Sequence, residues 1–304
     1  MPLAAGRGER MEPLSGVVGK PALEVAGRPL LASSLANLRG AGCARVVVNL
    51  HRHPAQVAAA ARAADPGPLA FSWEPNLLGG RGGVAAARPL LGDGDVLVGN
   101  TDSWGSLELG PVLAARADDA VVLALIPHPD PARWSSVVLD GDGRVVRFLP
   151  PGAGSEPGRF LFTGFQLLGR DVVAALPPGP GEMAALWDAA RRRGCLRGVS
   201  VEGVWREAGA PSAYRELAVE TAGPRSWVHP AADVEAGSRI ERSAVGAGCR
   251  VERGCSLVAS VLTAGAAAQG GSELAECVLA GPVTVTGETL ARTLVLPDLR
   301  VPLA

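Results

Sequence analysis

This 304-residue chain is poor in aromatic side chains, has no long apolar run and carries almost no net charge. Phe, Trp and Tyr make up 4% of its residues, and the formal net charge is −1 at pH 7. A charge so close to zero gives no long-range attraction for nucleic acid or for an anionic membrane surface. No apolar stretch approaches the roughly 18–20 residues that a membrane span needs, and no signal peptide is recognisable. We therefore expect a cytoplasmic protein with neither nucleic acid nor a membrane as a partner.

The cysteines and histidines do not form a recognisable metal or redox motif. No two of the five cysteines form a C-x-x-C pair, so neither a zinc site nor dithiol chemistry is indicated. His51 and His53 form an H-x-H with no third ligand nearby, which is typical of a loop. We expect the cysteines to be small, mostly buried apolar residues: Cys43, Cys195, Cys249, Cys255 and Cys277.

Residues 28–222 alternate between Ala-Leu-rich stretches and short β-branched runs. Continuous apolar strands separated by helices imply an α/β fold whose mostly parallel sheet is covered on both faces. In such sheets ligands bind beyond the carboxyl ends of the strands. The predicted helices are 29–39, 54–64, 83–91 and 106–116, and the predicted strands are 45–49, 69–73, 96–99 and 121–126.

The pattern changes after residue 223, where apolar residues recur every six positions. The first set is Val228, Val234 and Ile240, and corresponding sets begin at residues 245, 262 and 279, with Leu296 opening a fifth. Six-residue faces in coils of roughly 17–18 residues are the signature of a hexapeptide β-helix with triangular coils. The sets predict that Ala291 and Leu296 take inner positions. We predict two domains, 1–223 and 224–304, the second a rigid cap and oligomerisation surface.

The most informative segment is the glycine-rich amino terminus, Leu-Ala-Ala-Gly-Arg-Gly-Glu-Arg-Met-Glu-Pro-Leu at residues 3–14, followed by Gly19-Lys20-Pro21. Such a turn suits a polyphosphate, because exposed N–H groups and nearby cations share its charge. The dinucleotide-binding fingerprint is excluded because Met11 replaces its third glycine. The Walker phosphate loop is excluded because Pro21 follows Lys20 where Ser or Thr is required.

This turn and Lys-Pro pair resemble the signature of the sugar-1-phosphate nucleotidyltransferases. Four further segments resemble family motifs in the same order: 74–84, 96–104, 162–165 and 205–211. The resemblance extends from the amino terminus to the neighbourhood of Glu220. It implies a Rossmann-like, GT-A-like catalytic domain, followed here by the predicted left-handed β-helix. The implied reaction is attack by a sugar phosphate oxygen on the α-phosphorus of a nucleoside triphosphate, with release of pyrophosphate.

The resemblance also implies roles for individual residues. Arg10 would stabilise the departing pyrophosphate, Lys20 would bridge the phosphates of both substrates, and Asp102 and Glu207 would hold one Mg²⁺, a hard cation that prefers oxygen ligands. Trp104 and Trp205 are candidates for pocket walls, and Thr163 and Gly164 would face the sugar. The nucleotide would lie along Leu3, Ala4, Ala5, Gly6, Gly8, Glu74, Gly79, Gly82, Gly83 and Asn100.

Several positions depart from the family pattern. Glu9 places a negative charge beside the expected triphosphate, Gly19 replaces a proline before Lys20, and Glu207 stands where the family has Asp. Only Met1 and Pro2 precede the turn, where the family has a central strand, and a missing strand would expose two unpaired edges. We therefore expect either a start site placed too late or a sheet whose neighbouring strands close up imperfectly.

The leading hypothesis is a mannose-1-phosphate guanylyltransferase that uses GTP and Mg²⁺ and assembles as a homo-oligomer through its β-helix. A uridylyltransferase of the same family is the nearest alternative, because a few residues of segment 74–84 decide the base. The departures also allow a non-catalytic homologue that binds a nucleotide sugar and regulates a partner. An acyltransferase is a weaker idea, since only His229 at the edge of the first coil is available for catalysis.

Overall fold

The computed structural model describes residues 1–153 and 158–303. Up to residue 222 it alternates short strands and helices, as the sequence predicts. The strands are β1 (Pro2–Leu3), β2 (Glu24–Val25), β3 (Arg28–Pro29), β4 (Val46–Leu50), β5 (Leu69–Trp73), β6 (Val96–Asn100), β7 (Ser103–Trp104), β8 (Val121–Pro127), β9 (Ser136–Leu139), β10 (Val145–Leu149), β11 (Arg159–Leu168), β12 (Leu196–Ser200) and β13 (Arg206–Glu207). The helices are α1 (Leu14–Val17), α2 (Leu31–Gly40), α3 (Pro54–Ala64), α4 (Gly79–Leu91), α5 (Gly110–Ala114), α6 (Arg170–Ala174), α7 (Met183–Arg192) and α8 (Pro211–Ala222), with 3₁₀ turns at Glu9–Met11 and Lys20–Ala22.

The predicted elements match these bounds with two notable differences. Helix α4 begins at Gly79, four residues before the predicted start, because four glycines in its first turns hide its helical character in the sequence. Helix α5 covers only Gly110–Ala114 of the predicted 106–116. No helix in the part of the chain that the structure describes is long and apolar enough to cross a membrane.

Contacts divide the chain into two compact units. The first comprises Met1–Gly6, Leu31–Pro54 and Asp65–Trp205, and the second comprises Arg7–Leu30, Ala55–Ala64 and Arg206–Ala304. This division differs from the predicted boundary between residues 223 and 224, because two early segments and α8 group with the C-terminal coils. The predicted boundary itself stays a prediction.

A seven-stranded sheet forms the centre of the first unit. Its main path runs β1-β6-β11-β8-β12, and the β9–β10 hairpin joins it through β11. Strands β1 and β6 pair in parallel, as do β8 and β12, in agreement with the predicted parallel sheet. Strand β11 is antiparallel to both β6 and β8, which the strand–helix alternation does not reveal. Side chains from β6, β8, β11 and neighbouring helices fill cores on both faces.

The short first strand divides the sheet of this unit. Strand β1 pairs with β6, whereas β4 and β5 pair in parallel with each other outside the seven-stranded sheet. A strand of two residues offers too few backbone groups to join two neighbours over their full length. Strand β1 still contacts β4 as well as β6. The two expectations, a start site placed too late and an imperfectly closed sheet, stay predictions.

The second unit contains the β-helix, whose strands form three stacks that are parallel except at the last strand. They are β14 (Trp227–Val228), β15 (Asp233–Val234), β16 (Arg239–Glu241), β17 (Ala244–Val245), β18 (Arg250–Val251), β19 (Ser256–Val258), β20 (Val261–Leu262), β21 (Ala267–Gln269), β22 (Glu273–Ala275), β23 (Val278–Leu279), β24 (Thr284–Thr286), β25 (Thr289–Ala291), β26 (Thr293–Leu296) and β27 (Leu299–Pro302). Strands of successive coils pair in parallel with their equivalents, as Val228 does with Val245 and Val234 with Val251, and β27 ends the first stack antiparallel to β26. Cys249, Cys255 and Cys277 are buried in the core between the stacks.

The last coil corrects part of the predicted register. Leu274 pairs with Leu290, and Leu279 pairs with Val295, so this coil is one residue shorter than the one in which Leu257 pairs with Leu274. Leu290 and Val295 therefore take the inner positions predicted for Ala291 and Leu296, and Ala291 is exposed. The cause is the turn before β25, which has one residue fewer than the preceding Gly270-Gly271-Ser272 turn: Glu273 N–H bonds to Glu288 O, whereas Ser256 N–H bonds to Ser272 O.

One stack of the β-helix is covered within its own unit. Its outward side chains are apolar and buried, at Ala244, Val261, Val278 and Leu294. Helix α8 packs against β17 and β20, and α1 packs against β26. The second unit is therefore held together by helices whose sequences lie outside the coils that they cover.

Candidate functional site

The glycine-rich turn begins in the first unit, where its backbone is fixed by side chains from other strands. Ala4 N–H donates to Asn49 Oδ1 at 2.7 Å, and Thr101 Oγ1 donates to Leu3 O at 2.9 Å. Ala4 and Ala5 are buried, whereas a Cβ added at Gly6 would meet no atom within 4 Å. The turn is thus anchored up to Ala5 and opens at Gly6, where a ligand has room to approach the backbone.

The rest of the turn and its cations lie in the second unit. Gly8 has a φ of +68°, a left-handed conformation that favours glycine. Arg10 follows in a 3₁₀ turn and Lys20 opens the next one, where Gly19 N–H donates to Gln56 Oε1 at 3.0 Å. Glu9 forms an exposed ion pair with Arg7 at 3.5 Å, so its charge is partly offset by its neighbour.

Two of the predicted site residues pair directly in the second unit. Arg10 Nη2 lies 2.9 Å from Glu207 Oε1, with the Arg10 side chain 67% exposed and that of Glu207 14% exposed. Gly209 leaves space for this contact, since a Cβ there would lie 3.1 Å from Arg10 Nη1 and 3.3 Å from Glu207. The pair joins the residue expected to bind phosphate with one expected to bind Mg²⁺.

Glu74, which the resemblance assigns to base reading, is an interior residue. It is 1% exposed, and its two carboxylate oxygens accept hydrogen bonds from Asn49 Nδ2 at 2.7 Å and from Leu78 N–H at 3.0 Å. Its backbone N–H donates to Leu50 O, and His51 Nδ1 lies 2.8 Å from its carbonyl oxygen. Glu74 therefore ties the segment that follows it to strand β4.

Asn49 connects Glu74 to the glycine-rich turn. Its amide accepts from Ala4 N–H and donates to Glu74, so one buried side chain holds both loops. Sequence reasoning did not identify Asn49. The available signal was a single amide at the carboxyl end of an otherwise apolar strand, where ligand-proximal residues are expected.

The glycines that begin α4 allow close packing between protein segments. A Cβ at Gly83 would lie 2.7 Å from Glu74 Oε1 and 2.8 Å from Asn49 Nδ2, and one at Gly82 would lie 2.7 Å from Gly179 O. Gly79 has a φ of +72° and packs against residues 181–182. Any contact between these glycines and a base stays a prediction.

Asn100, Thr163 and Gly164 lie together where β6 meets β11. Gly164 has a φ of +91°, and a Cβ there would be 2.9 Å from that of Asn100. Thr163 is buried, with its hydroxyl donating to Ala124 O and its carbonyl accepting from Trp205 Nε1 at 2.9 Å. Trp205 packs edge-to-face on Trp134 with the ring centroids 5.7 Å apart. Trp134 was not identified from the sequence.

Asp102 follows the end of β6, and the loop after it is clamped by α2. Ser33 and Gly105 exchange two hydrogen bonds, and Asn37 accepts from Leu107 N–H at 2.8 Å while donating to Gly105 O. Neither Ser33 nor Asn37 was identified from the sequence, since polar residues in a helix are more often solvated. The clamp limits the movement of the segment that carries Asp102.

The predicted metal ligands, Asp102 and Glu207, have the chemistry that Mg²⁺ requires. Within residues 1–153 and 158–303, no three His, Cys, Asp or Glu side chains group in a way that would hold a metal ion. Mg²⁺ commonly takes only one or two protein carboxylates together with substrate phosphates. Both residues are hard oxygen donors and fit that requirement, and their assignment stays a prediction.

Comparison with known proteins gives consistent matches. The model of the family described as nucleotidyl transferase matches residues 1–221. An N-acetylmuramate alpha-1-phosphate uridylyltransferase from Caulobacter vibrioides is 33% identical over 234 residues, which cover 72% of this chain and 94% of the relative. A mannose-1-phosphate guanylyltransferase from Mycobacterium tuberculosis is 30% identical over 188 residues, 58% of this chain and 50% of the relative.

A solved structure supports the fold. HddC from Yersinia pseudotuberculosis superposes with a TM-score of 0.62 at 19% identity, covering 72% of this chain and 97% of HddC. That match extends over most of the solved chain, and the family model ends at residue 221, in the last turn of α8. The chain therefore belongs to the nucleotidyl transferase family.

Proposed function

We propose that this protein transfers a uridylyl group from UTP to a sugar 1-phosphate, giving a nucleotide sugar and pyrophosphate. Transfer to a sugar 1-phosphate is the activity named for both the Caulobacter and the Mycobacterium relatives. The uridylyltransferase aligns over 94% of its length, whereas the guanylyltransferase aligns over 50%. GTP with mannose 1-phosphate is the second candidate, supported by that guanylyltransferase.

The base preference is inferred from the hydrogen bonds that the buried Glu74 carboxylate already accepts within the protein. Guanine presents two neighbouring N–H donors on one edge, for which a carboxylate is the natural partner. Both oxygens of Glu74 already accept hydrogen bonds from the protein, and the side chain is buried. Uracil has one N–H donor between two carbonyls, so its recognition does not depend on a free carboxylate. This arrangement favours UTP.

The reaction depends on the positioning of the two substrates and on neutralisation of their phosphate charge more than on a general base. A sugar phosphate oxygen is already anionic and attacks the α-phosphorus in line, while pyrophosphate leaves from the opposite side. In the proposed site the Arg10 guanidinium binds the departing phosphates, and the Lys20 ammonium lies between the phosphates of the two substrates. Bound Mg²⁺, held by Asp102 and Glu207, would neutralise phosphate charge and orient the triphosphate.

The ion pair between Arg10 and Glu207 has a place in this scheme. In the free protein each side chain compensates the other's charge at 2.9 Å. An arriving triphosphate offers Arg10 a stronger anionic partner, and the carboxylate of Glu207 is then available to the cation that accompanies the nucleotide.

The proposal is tested by incubating the protein with Mg²⁺ and each of UTP and GTP, in combination with N-acetylmuramic acid, N-acetylglucosamine or mannose 1-phosphate. Pyrophosphate release with UTP and at least one sugar supports the proposal, and release with GTP alone supports the second candidate. Binding of a nucleotide sugar without turnover in any combination would support the non-catalytic homologue and contradict both.

We also propose a homo-oligomer formed through the β-helix. Two of its three stacks present outward residues that include exposed ones, such as Asp233 and Glu273. Light scattering coupled to size exclusion tests this directly, with a mass above that of one 30.9 kDa chain as the expected result and a monomer mass as the contrary one.

A further inference from the structure

Helix α4 begins in a run of glycines that gives its first turn little stability of its own. Residues 79–83 read Gly-Gly-Arg-Gly-Gly. Glycine is among the poorest helix formers, because fixing its backbone costs more conformational entropy than fixing that of any other residue. Four glycines in five residues therefore need contacts with the rest of the fold to hold a helical turn. Arg81 is the one residue of this run whose side chain can reach another segment.

The loop between α6 and α7, residues 177–182, supplies such contacts through its backbone. Gly181 N–H donates to Leu78 O at 2.8 Å, and Gly181 O accepts from Gly82 N–H at 3.0 Å. A Cβ at Gly82 would lie 2.7 Å from Gly179 O, so the loop and the start of α4 are in close backbone contact. One loop residue thus holds the chain just before the first glycine and again within the first turn.

Arg81 ties the same loop to the helix with its guanidinium. Nη1 donates to Pro177 O at 2.7 Å and Nη2 donates to Pro180 O at 2.6 Å. The guanidinium also occupies the space that a side chain at Gly181 would need, since a Cβ there would lie 1.9 Å from Nη2 and 2.1 Å from Nε. Arg81 and Gly181 therefore depend on each other, and a methyl group at Gly181 would displace the guanidinium.

The start of α4 also contacts the residues that hold the glycine-rich amino terminus. Leu78 N–H donates to Glu74 Oε2 at 3.0 Å, and a Cβ at Gly83 would lie 2.8 Å from Asn49 Nδ2. Asn49 in turn accepts from Ala4 N–H. A shift of the helix start would therefore change its distance from the turn that is proposed to hold the phosphates.

We propose that Arg81 is a positioning residue for the nucleotide, acting through loop 177–182 rather than by touching a substrate. The inference rests on the proposed function and on the predicted place of the base beside residues 79–83. Without the guanidinium the helix start loses two of the hydrogen bonds that hold it, and its glycines gain access to other backbone conformations. Nucleotide binding must then order this segment, which weakens the affinity for the nucleotide and not that for the sugar phosphate.

The test compares Arg81→Gln with a matched variant of the same helix, Arg88→Gln. Arg88 lies two turns, or about 10 Å, further along the same face of α4 and donates to Ala174 O at 2.8 Å, so it makes a similar contact away from the helix start. Arg81→Gln should raise the KM for UTP about tenfold, the range for losing hydrogen bonds of a charged group, and leave the KM for the sugar 1-phosphate within about twofold. Arg88→Gln should leave both KM values within about twofold.

A double-mutant cycle shows whether the effect acts through the contact between Arg81 and the loop. Gly181→Ala keeps the charge and should also raise the KM for UTP, because the added methyl group displaces the guanidinium. In the double variant the two effects should not multiply, since both changes remove the same contact. An unchanged KM for UTP in Arg81→Gln, an equal rise for both substrates, an equal effect of Arg88→Gln, or multiplying effects in the double variant would overturn the proposal.

Failure of the proposed function gives a different result from failure of this inference. If the wild type forms no nucleotide sugar from any tested pair, the proposed function fails, and calorimetry with UTP and with GTP then tests Arg81 alone. Binding of the preferred nucleotide about tenfold weaker in Arg81→Gln than in Arg88→Gln supports the positioning role. Equal binding by the two variants, or no nucleotide binding by the wild type, overturns it.

Discussion

At the residue scale, Asn49 has an important structural role that its sequence context hardly indicates. Its amide joins Ala4, 45 residues away, to Glu74, 25 residues away. Both contacts are buried, so neither partner can turn to water if the amide is removed. Asn49 therefore fixes the spacing between the turn expected to bind phosphates and the segment expected to adjoin the base.

Asn49→Leu should lower both stability and nucleotide affinity. The change leaves the Glu74 carboxylate and the Ala4 N–H without the partner that Asn49 supplies, which should reduce the free energy of unfolding by about 2–3 kcal/mol in urea titration. The KM for UTP should rise about tenfold through misplacement of the turn, more than the KM for the sugar phosphate. Asn76→Leu, at an exposed position, is the stability control. An equal rise in both KM values would contradict the positioning role.

Asp102→Asn should abolish most turnover while leaving the fold intact. Loss of the proposed metal-binding charge should reduce kcat by about a hundredfold or more, and Tm should change little because Asp102 lies in a loop. Asp233→Asn on the exposed β-helix surface is the matched control. Pyrophosphate release at the wild-type rate from Asp102→Asn would show that this carboxylate has no part in the reaction.

Sequence motifs identified the family, because glycines and strand-end polar residues leave local signals. They did not identify Asn49, Ser33 or Asn37. The importance of those residues arises from partners on other elements. Such partners cannot be seen in the local sequence.

At the scale of elements, the β-helix shows how far a periodic pattern can be extended. The six-residue spacing predicted the inner positions correctly through Val285, since each inner side chain stacks on the equivalent side chain of the previous coil. The pattern failed at Ala291 and Leu296 because the turn at Gly287-Glu288 is one residue shorter than the equivalent turn of the preceding coil. Turn length is set by backbone geometry, so apolar periodicity alone cannot reveal a one-residue deletion.

The corrected register predicts that a charge at Leu290 destabilises the protein far more than a charge at the adjacent Ala291. Leu290→Asp should lower the free energy of unfolding by about 2 kcal/mol or more, because it places a charge at an inner position. Ala291→Asp should change it by less than about 0.5 kcal/mol, since that side chain is exposed. Urea titration of the two variants measures both values. A larger loss of unfolding free energy for Ala291→Asp than for Leu290→Asp would instead support the register predicted from the sequence.

The thiols of the β-helix should be unreactive in the native protein. Cys249, Cys255 and Cys277 are buried, and burial raises the pKa of the Cys249 and Cys277 thiols, so little thiolate forms near neutral pH. A thiol reagent should therefore modify at most Cys43 and Cys195, which are partly exposed, and all five cysteines in urea. Rapid modification of three or more native thiols would contradict the packed core.

At the scale of the whole molecule, chain order and spatial grouping differ. Segment Arg7–Leu30 groups with the C-terminal unit because its contacts are there: Tyr214 donates to Glu24 O at 2.7 Å, and Gly27 packs against Trp227. The change in composition near residue 223 marks where the coils begin. It carries no information about which earlier segments pack on those coils.

The fold class of the first unit could be predicted from the sequence, but the direction of one of its strands could not. Alternating helices and apolar strands predicted the α/β sheet. The antiparallel direction of β11 was not predictable, because a buried strand has the same apolar sequence in either direction.

The central claim, direct uridylyl transfer to a sugar 1-phosphate, is tested most directly by ³¹P NMR of a mixture of protein, Mg²⁺, UTP and N-acetylmuramic acid 1-phosphate. We predict that the UTP and sugar phosphate signals decline together while a coupled diphosphate pair and free pyrophosphate appear in equal amounts. An unchanged spectrum, or the appearance of UDP and inorganic phosphate with the sugar phosphate signal intact, would contradict the account.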